Sequence, residues 1–146
     1  MKIICIGRNY AEHVAELDHT RDLPGKPQFF MKPDTALLRN NDPFYVPAFS
    51  RDLHYETELV VRINRVGKAI EERFAPRYYD EVRQRGDTSQ MIFGVNRVIA
   101  YVSQFVTLKI GDLIYTGTPV GVGPVRPGDR IRASLEGRLL LDFDIK

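Results

Sequence analysis

The run Leu53-His54-Tyr55-Glu56-Thr57-Glu58-Leu59-Val60-Val61-Arg62-Ile63 places two carboxylates one residue apart in a segment of strand-forming composition. Alternate side chains of a strand share a face. The sequence therefore predicts His54, Glu56, Glu58, Val60 and Arg62 on one side, and Tyr55, Thr57, Leu59, Val61 and Ile63 on the other. Same-face neighbours stand about 7 Å apart. Two ionised carboxylates at about that distance repel by roughly 2 kcal/mol at an effective dielectric of about 20. A divalent cation between them reverses the sign, and hard ions such as magnesium, calcium or manganese suit oxygen ligands. The competing reading is a solvated edge-strand face with Arg62 nearby.

Other elements must position that pair. Lys2-Ile3-Ile4-Cys5-Ile6 reads as a buried strand, broken by Gly7-Arg8-Asn9. Residues 10–17 have helical composition with Tyr10, Val14 and Leu17 on one side, and Asn9 is a candidate N-cap. Residues 18–28 carry Pro24, Gly25 and Pro27 and read as a loop. Asn40-Asn41-Asp42-Pro43 is a turn signal, and residues 64–67 resemble a hairpin turn. Residues 71–82 read as helical after Pro76. Residues 89–106 form the clearest helix, with Val95, Val98, Ile99, Val102 and Val106 as its core stripe. Gly111-Asp112 and Gly128-Asp129 each introduce a strand, and residues 130–145 read as a hairpin. The mixture is mostly β (α+β), with 146 residues suiting a single domain, 1–146.

Composition limits the partners. A net charge of +2 and the absence of a basic stripe interleaved with aromatics give no case for nucleic acid. Cys5 is the only cysteine, so no internal disulfide and no thiol zinc cluster can form. The apolar opening is too short for a signal peptide, and no run approaches membrane-spanning length. The expectation is a soluble cytoplasmic protein.

Several stretches carry a resemblance. They are Gly7-Arg8-Asn9-Tyr10-Ala11-Glu12-His13-Val14-Ala15-Glu16, Phe30-Met31-Lys32-Pro33, His54-Tyr55-Glu56-Thr57-Glu58-Leu59 and Gly86-Asp87-Thr88-Ser89-Gln90-Met91-Ile92-Phe93. The last is Gly111-Asp112-Leu113-Ile114-Tyr115-Thr116-Gly117-Thr118-Pro119-Val120-Gly121-Val122-Gly123-Pro124. In this order they resemble the fumarylacetoacetate hydrolase family, in particular its small acylpyruvase-like and hydroxyheptadienedioate isomerase-like members. The resemblance spans nearly the whole chain. It implies a mixed β-roll with flanking short helices, usually a homodimer.

The resemblance also implies roles. Glu56 and Glu58 match the family's first two metal ligands, for Mg2+ or, alternatively, Mn2+ or Ca2+. His13 and Glu16 match its catalytic pair, carried on a lid-like segment. Three residues apart on a helix, they share a face and can touch. A histidine is the natural base near neutral pH, and a carboxylate beside it raises its basicity. Thr118, with Gly117 in the same turn, matches a residue that meets the substrate's carboxylate end. Lys32 would pair with an anionic substrate or with a nearby carboxylate.

One departure is large. Between Val82 and Arg83 the family carries several dozen more residues, among them a third metal-binding aspartate and a substrate-facing lysine. Either those residues are deleted, or the sequence joins two segments across an unseen one; clean matches on both flanks favour the second.

The implied activity is metal-dependent hydrolysis of a carbon–carbon bond in a small acylpyruvate-like 2-oxo acid. The metal would stabilise the leaving enolate, and His13 with Glu16 would activate water. The same constellation supports oxaloacetate decarboxylation or isomerisation of an unsaturated dioic acid. A non-catalytic relic is the reading if the deletion is real.

Overall fold

The computed structural model describes residues 1–18, 23–79, 88–135 and 137–146, without the side chains of 16–18, 88 and 135. Its centre is a mixed sheet. Strand β1 (Ile3–Gly7) is followed by helix α1 (Ala11–Asp18) and strand β2 (Gln28–Lys32). Then come the short β3 (His54–Tyr55) and β4 (Val60–Arg62), helix α2 (Val95–Phe105), β5 (Leu113–Tyr115) and β6 (Gly123–Pro124). The chain ends in β7 (Arg130–Leu135) and β8 (Arg138–Asp144). The sheet order is β2-β1-β5-β4, with β1 and β5 parallel and the outer pairs antiparallel.

Register sorts the two faces of this sheet. Ile4 lies opposite Ile114, and Ile114 opposite Val61, so these share one face. That face packs on α2, whose Val98, Ile99 and Val102 are fully buried. Burying each such side chain contributes about 1.5–3 kcal/mol, so the predicted stripe holds helix to sheet. On the opposite face Phe30, Cys5, Tyr115 and Val60 form one row across the strands. Lys32 follows Phe30 by two residues and points the same way. This second face carries the candidate site.

Asp112 anchors the sheet. Its buried carboxylate accepts the backbone N–H of Lys2 and of Lys109, each at 2.8 Å, and pairs with the Lys2 ammonium at 2.6 Å. It thereby pins the start of β1 to the turn that opens β5. Burial alone would raise its pKa, but the Lys2 ammonium and the two N–H donors outweigh that and hold it below the usual carboxylate range.

Four sequence expectations are corrected. The run 53–63 is not one strand: β3 pairs with β6 whereas β4 pairs with β5, and residues between them belong to neither ladder. Residues 64–67 do not close a hairpin, because Ile63 bridges to Tyr79 and Gly67 to Leu108. The helix expected after Pro76 in the segment 71–82 is, within the described residues, a 3-10 helix that lies mostly before it, Glu72–Arg77, with Pro76 inside; proline has no N–H to sustain an α-helical ladder. The long helix begins at Val95 rather than near 89, after a separate 3-10 turn, Thr88–Gln90. The terminal hairpin forms as expected, with a bulge between Ala133 and Ser134.

Candidate active site

Three segments converge over the second sheet face. The first is the corner after β1 with the first turn of α1. Tyr10, His13 and Val14 are all buried, so α1 turns His13 inward together with its apolar stripe. The second segment is 56–59, between β3 and β4. The third is the Thr116-Gly117-Thr118 corner that follows β5.

Hydroxyls and backbone groups tie the last two together. The Thr116 N–H and hydroxyl both donate to the Leu59 carbonyl, at 3.1 and 3.0 Å, and the Thr118 hydroxyl donates to the Thr57 carbonyl at 2.9 Å. The Gly117 N–H donates to Glu58 Oε2 at 2.6 Å, a short charge-assisted bond. Only glycine suits this corner. Its φ is +96°, and a Cβ would meet the Asn9 Cβ at 3.0 Å and the Ile6 carbonyl at 3.3 Å.

Glu56 and Glu58 line one cavity despite the broken strand, and the Glu56 charge acts on Glu58. His13 Nε2 lies 4.0 Å from Glu56 Oε1, with the histidine side chain 6% and the glutamate 50% exposed. Burial pushes the Glu58 carboxyl above its ordinary pKa, and the Glu56 charge pushes the same way. The Gly117 N–H, Lys32 and His13 pull it back. The Glu58 charge also acts on Cys5, Tyr10 and Tyr115, which places it over the sheet face. Glu56 and Glu58 line a cavity of about 610 Å³ whose remaining wall is mostly apolar, including Leu53, Tyr115, Val125, Leu140 and Phe143.

Each expected site residue can now be placed. His13, Glu56, Glu58 and Lys32 share one electrostatic neighbourhood. Gly117 and Thr118 adjoin it, but both use their donors within the protein. To donate to a substrate carboxylate, the Thr118 hydroxyl must rotate away from Thr57. Glu16 lies in α1, with its side chain outside the described residues, as are the junction of Val82 with Arg83 and His19. His54 lies at the wall of the same cavity and bonds Asp52 at 2.8 Å. Asn9 is not an N-cap. Its side chain instead bonds Phe93 and Thr116 across the fold.

Comparison with known proteins agrees with this geometry. The chain matches the fumarylacetoacetate (FAA) hydrolase C-terminal domain family over residues 2–79 and 73–143. The chain belongs to the fumarylacetoacetate hydrolase family, and it is an enzyme of that family. It is 32% identical to the mitochondrial oxaloacetate tautomerase FAHD1 of Bos taurus, over 99% of this chain and 91% of that one. It is also 32% identical to the mitochondrial oxaloacetate decarboxylase of Dictyostelium discoideum, over 99% and 92%. The fumarylpyruvate hydrolase of Pseudomonas aeruginosa, solved with Mn2+ and pyruvate, superposes with a TM-score of 0.86 at 25% identity. That match covers 99% of this chain and 89% of that one. The cattle alignment runs over 203 residues, 57 more than the 146 present here. The two family stretches meet at 73–79, just before the expected gap.

One expectation is overturned. A cytoplasmic location was expected, but the cattle and Dictyostelium relatives are mitochondrial proteins by name. Among the described residues, no helix is long and apolar enough to cross a membrane.

The donor chemistry fits a hard divalent ion. A buried carboxylate beside a second one is destabilised by desolvation and by repulsion, and a cation offsets both. Glu56 and Glu58 would hold it. Among the described residues, no group of three or more His, Cys, Asp and Glu side chains stands ready to hold a metal.

Proposed function

We propose that this enzyme acts on a small 2-oxo dicarboxylic acid of the oxaloacetate type, interconverting its keto and enol forms or releasing carbon dioxide from it. The observation that carries this is a buried histidine beside the paired carboxylates: His13 Nε2 stands 4.0 Å from Glu56 Oε1. Glu56 and Glu58 would hold a divalent ion, which would supply Lewis-acid polarisation of the 2-oxo group. The chain's own residues then have a proton to move.

His13 is placed to do so. In tautomerisation its imidazole takes the proton from the carbon next to the 2-oxo group, and the imidazolium returns a proton to the oxygen. In decarboxylation the bond from the carbon next to the 2-oxo group to the distal carboxylate breaks; the carboxylate leaves as carbon dioxide, the electron pair stays on the carbon next to the 2-oxo group, and His13, protonated from solvent beforehand, gives that carbon its proton. Lys32 lies close enough to Glu58 to stabilise its charge, and it offers an ammonium to an anionic substrate. The relatives named for oxaloacetate support this reading over the acylpyruvate hydrolysis expected first. Hydrolysis needs a positioned water as well as a base, and the Pseudomonas relative keeps it as the second reading.

The test is turnover of enol-oxaloacetate, keto-oxaloacetate and acylpyruvates, each with and without Mn2+, by wild type and Glu56→Ala. The expected result is metal-dependent loss of enol absorbance or formation of pyruvate, with Glu56→Ala inactive. Metal-independent turnover, or an undiminished Glu56→Ala enzyme, refutes the mechanism. Preferential cleavage of acylpyruvates returns the assignment to the hydrolase.

A further inference from the structure

Asn9 is buried, and its side-chain amide uses both ends. Nδ2 donates to the Phe93 carbonyl at 3.0 Å and to the Thr116 carbonyl at 2.8 Å, while Oδ1 accepts the Phe93 N–H at 2.8 Å. The Asn9 carbonyl also accepts the Ile92 N–H at 2.8 Å. One residue thus joins the β1 corner, the segment entering α2 and the corner after β5.

The bond to Thr116 has a specific consequence. The Thr116 carbonyl and the Gly117 N–H belong to one planar peptide unit. Asn9 holds the oxygen end of that unit, and Glu58 accepts from the nitrogen end at 2.6 Å. Fixing the carbonyl direction fixes the N–H direction opposite it. A carbonyl that accepts a hydrogen bond also makes its own N–H a stronger donor. Asn9 comes two residues before α1, so the same clamp sets where the His13-bearing helix starts.

We propose that Asn9 is a positioning residue: through the Thr116–Gly117 peptide it aims the Gly117 N–H at Glu58, and so sets the orientation of that carboxylate in the site. The inference that this orientation serves metal binding rests on the proposed function; the clamp itself does not.

The experiment follows the Gly117 amide and the Asn9 side-chain amide by NMR, and measures Mn2+ affinity by titration. Asn9→Asp keeps an acceptor for Phe93 but loses the donor to Thr116; Asn9→Ala loses both. Each should move the Gly117 amide proton upfield and weaken Mn2+ binding on the order of 10-fold, as lost outer-shell partners do. Asp112→Asn serves as the control for simple destabilisation. It lowers the melting temperature but should leave the Gly117 resonance and Mn2+ affinity in place. In the chain with Asn9 intact, Glu58→Gln should shift the Asn9 Nδ2 resonances through the same peptide. This arm keeps the test open if the Asn9 variants do not fold. A Gly117 resonance unmoved in folded Asn9 variants, or Asn9 resonances unmoved by Glu58→Gln, overturns the proposal. A wild type that does not bind Mn2+ refutes the metal reading, and the two resonance shifts then decide the role of Asn9.

Discussion

Replacing Asp112 with alanine should unlatch the start of β1 from the turn that opens β5, at the end of those strands away from the 116–118 corner. Its carboxylate satisfies two backbone N–H groups, those of Lys2 and Lys109, and neutralises the Lys2 ammonium. Each donor left without an acceptor costs about 1–3 kcal/mol. The Lys2 side chain is 26% exposed and rehydrates, so its lost pairing adds little. The expected loss is about 3–5 kcal/mol, or roughly 10 °C in melting temperature for a chain of this size. The dependence on pH carries the sharper test. The Asp112 pKa is lower in the folded chain than its unfolded value of about 3.9, so its ionic contribution is complete above that value. That contribution is lost as pH falls through the lower folded pKa. Urea unfolding of wild type and Asp112→Ala should therefore show a wide gap at neutral pH that narrows in strong acid. A neutral-pH gap below about 1 kcal/mol, or one that widens on acidification, would refute this account of the latch.

Three further outcomes are expected. His13→Ala should lower the enol–keto rate by about 10²–10⁴-fold while leaving Mn2+ affinity nearly intact; collapse of metal affinity in a calorimetric titration would mean that His13 is misassigned. Mn2+ binding should weaken as pH falls through the raised pKa of Glu58, because the ion competes with the proton there. An affinity that stays flat through that window would exclude Glu58 as a ligand. Gly117→Ala should weaken Mn2+ binding and lower stability together, since the added Cβ meets Asn9 at 3.0 Å; wild-type affinity and melting temperature would count against the corner geometry.

Much of the chain's local order was readable from its residues. The apolar run after Lys2, the valine and isoleucine stripe of α2 and the terminal hairpin follow from periodicity, which is a property of neighbours along the chain. The paired carboxylates Glu56 and Glu58 stood out by their spacing, whereas His13 and Lys32 gained a proposed role only through the resemblance to a family.

Their assembly was not readable in the same way. The expected long strand would have put Glu56 and Glu58 on one flat face. Instead β3 and β4 find different partners, and the Thr116–Thr118 corner holds residues 57–59 in place by hydrogen bonds. Asn9 looked like a helix cap because capping is a local preference, whereas its actual partners lie 84 and 107 residues away. A side-chain amide has no periodicity to reveal a distant carbonyl. The sequence could thus offer candidate groups, while only long-range hydrogen bonding, paid for by burial of the sheet against α2, decided which elements face one another.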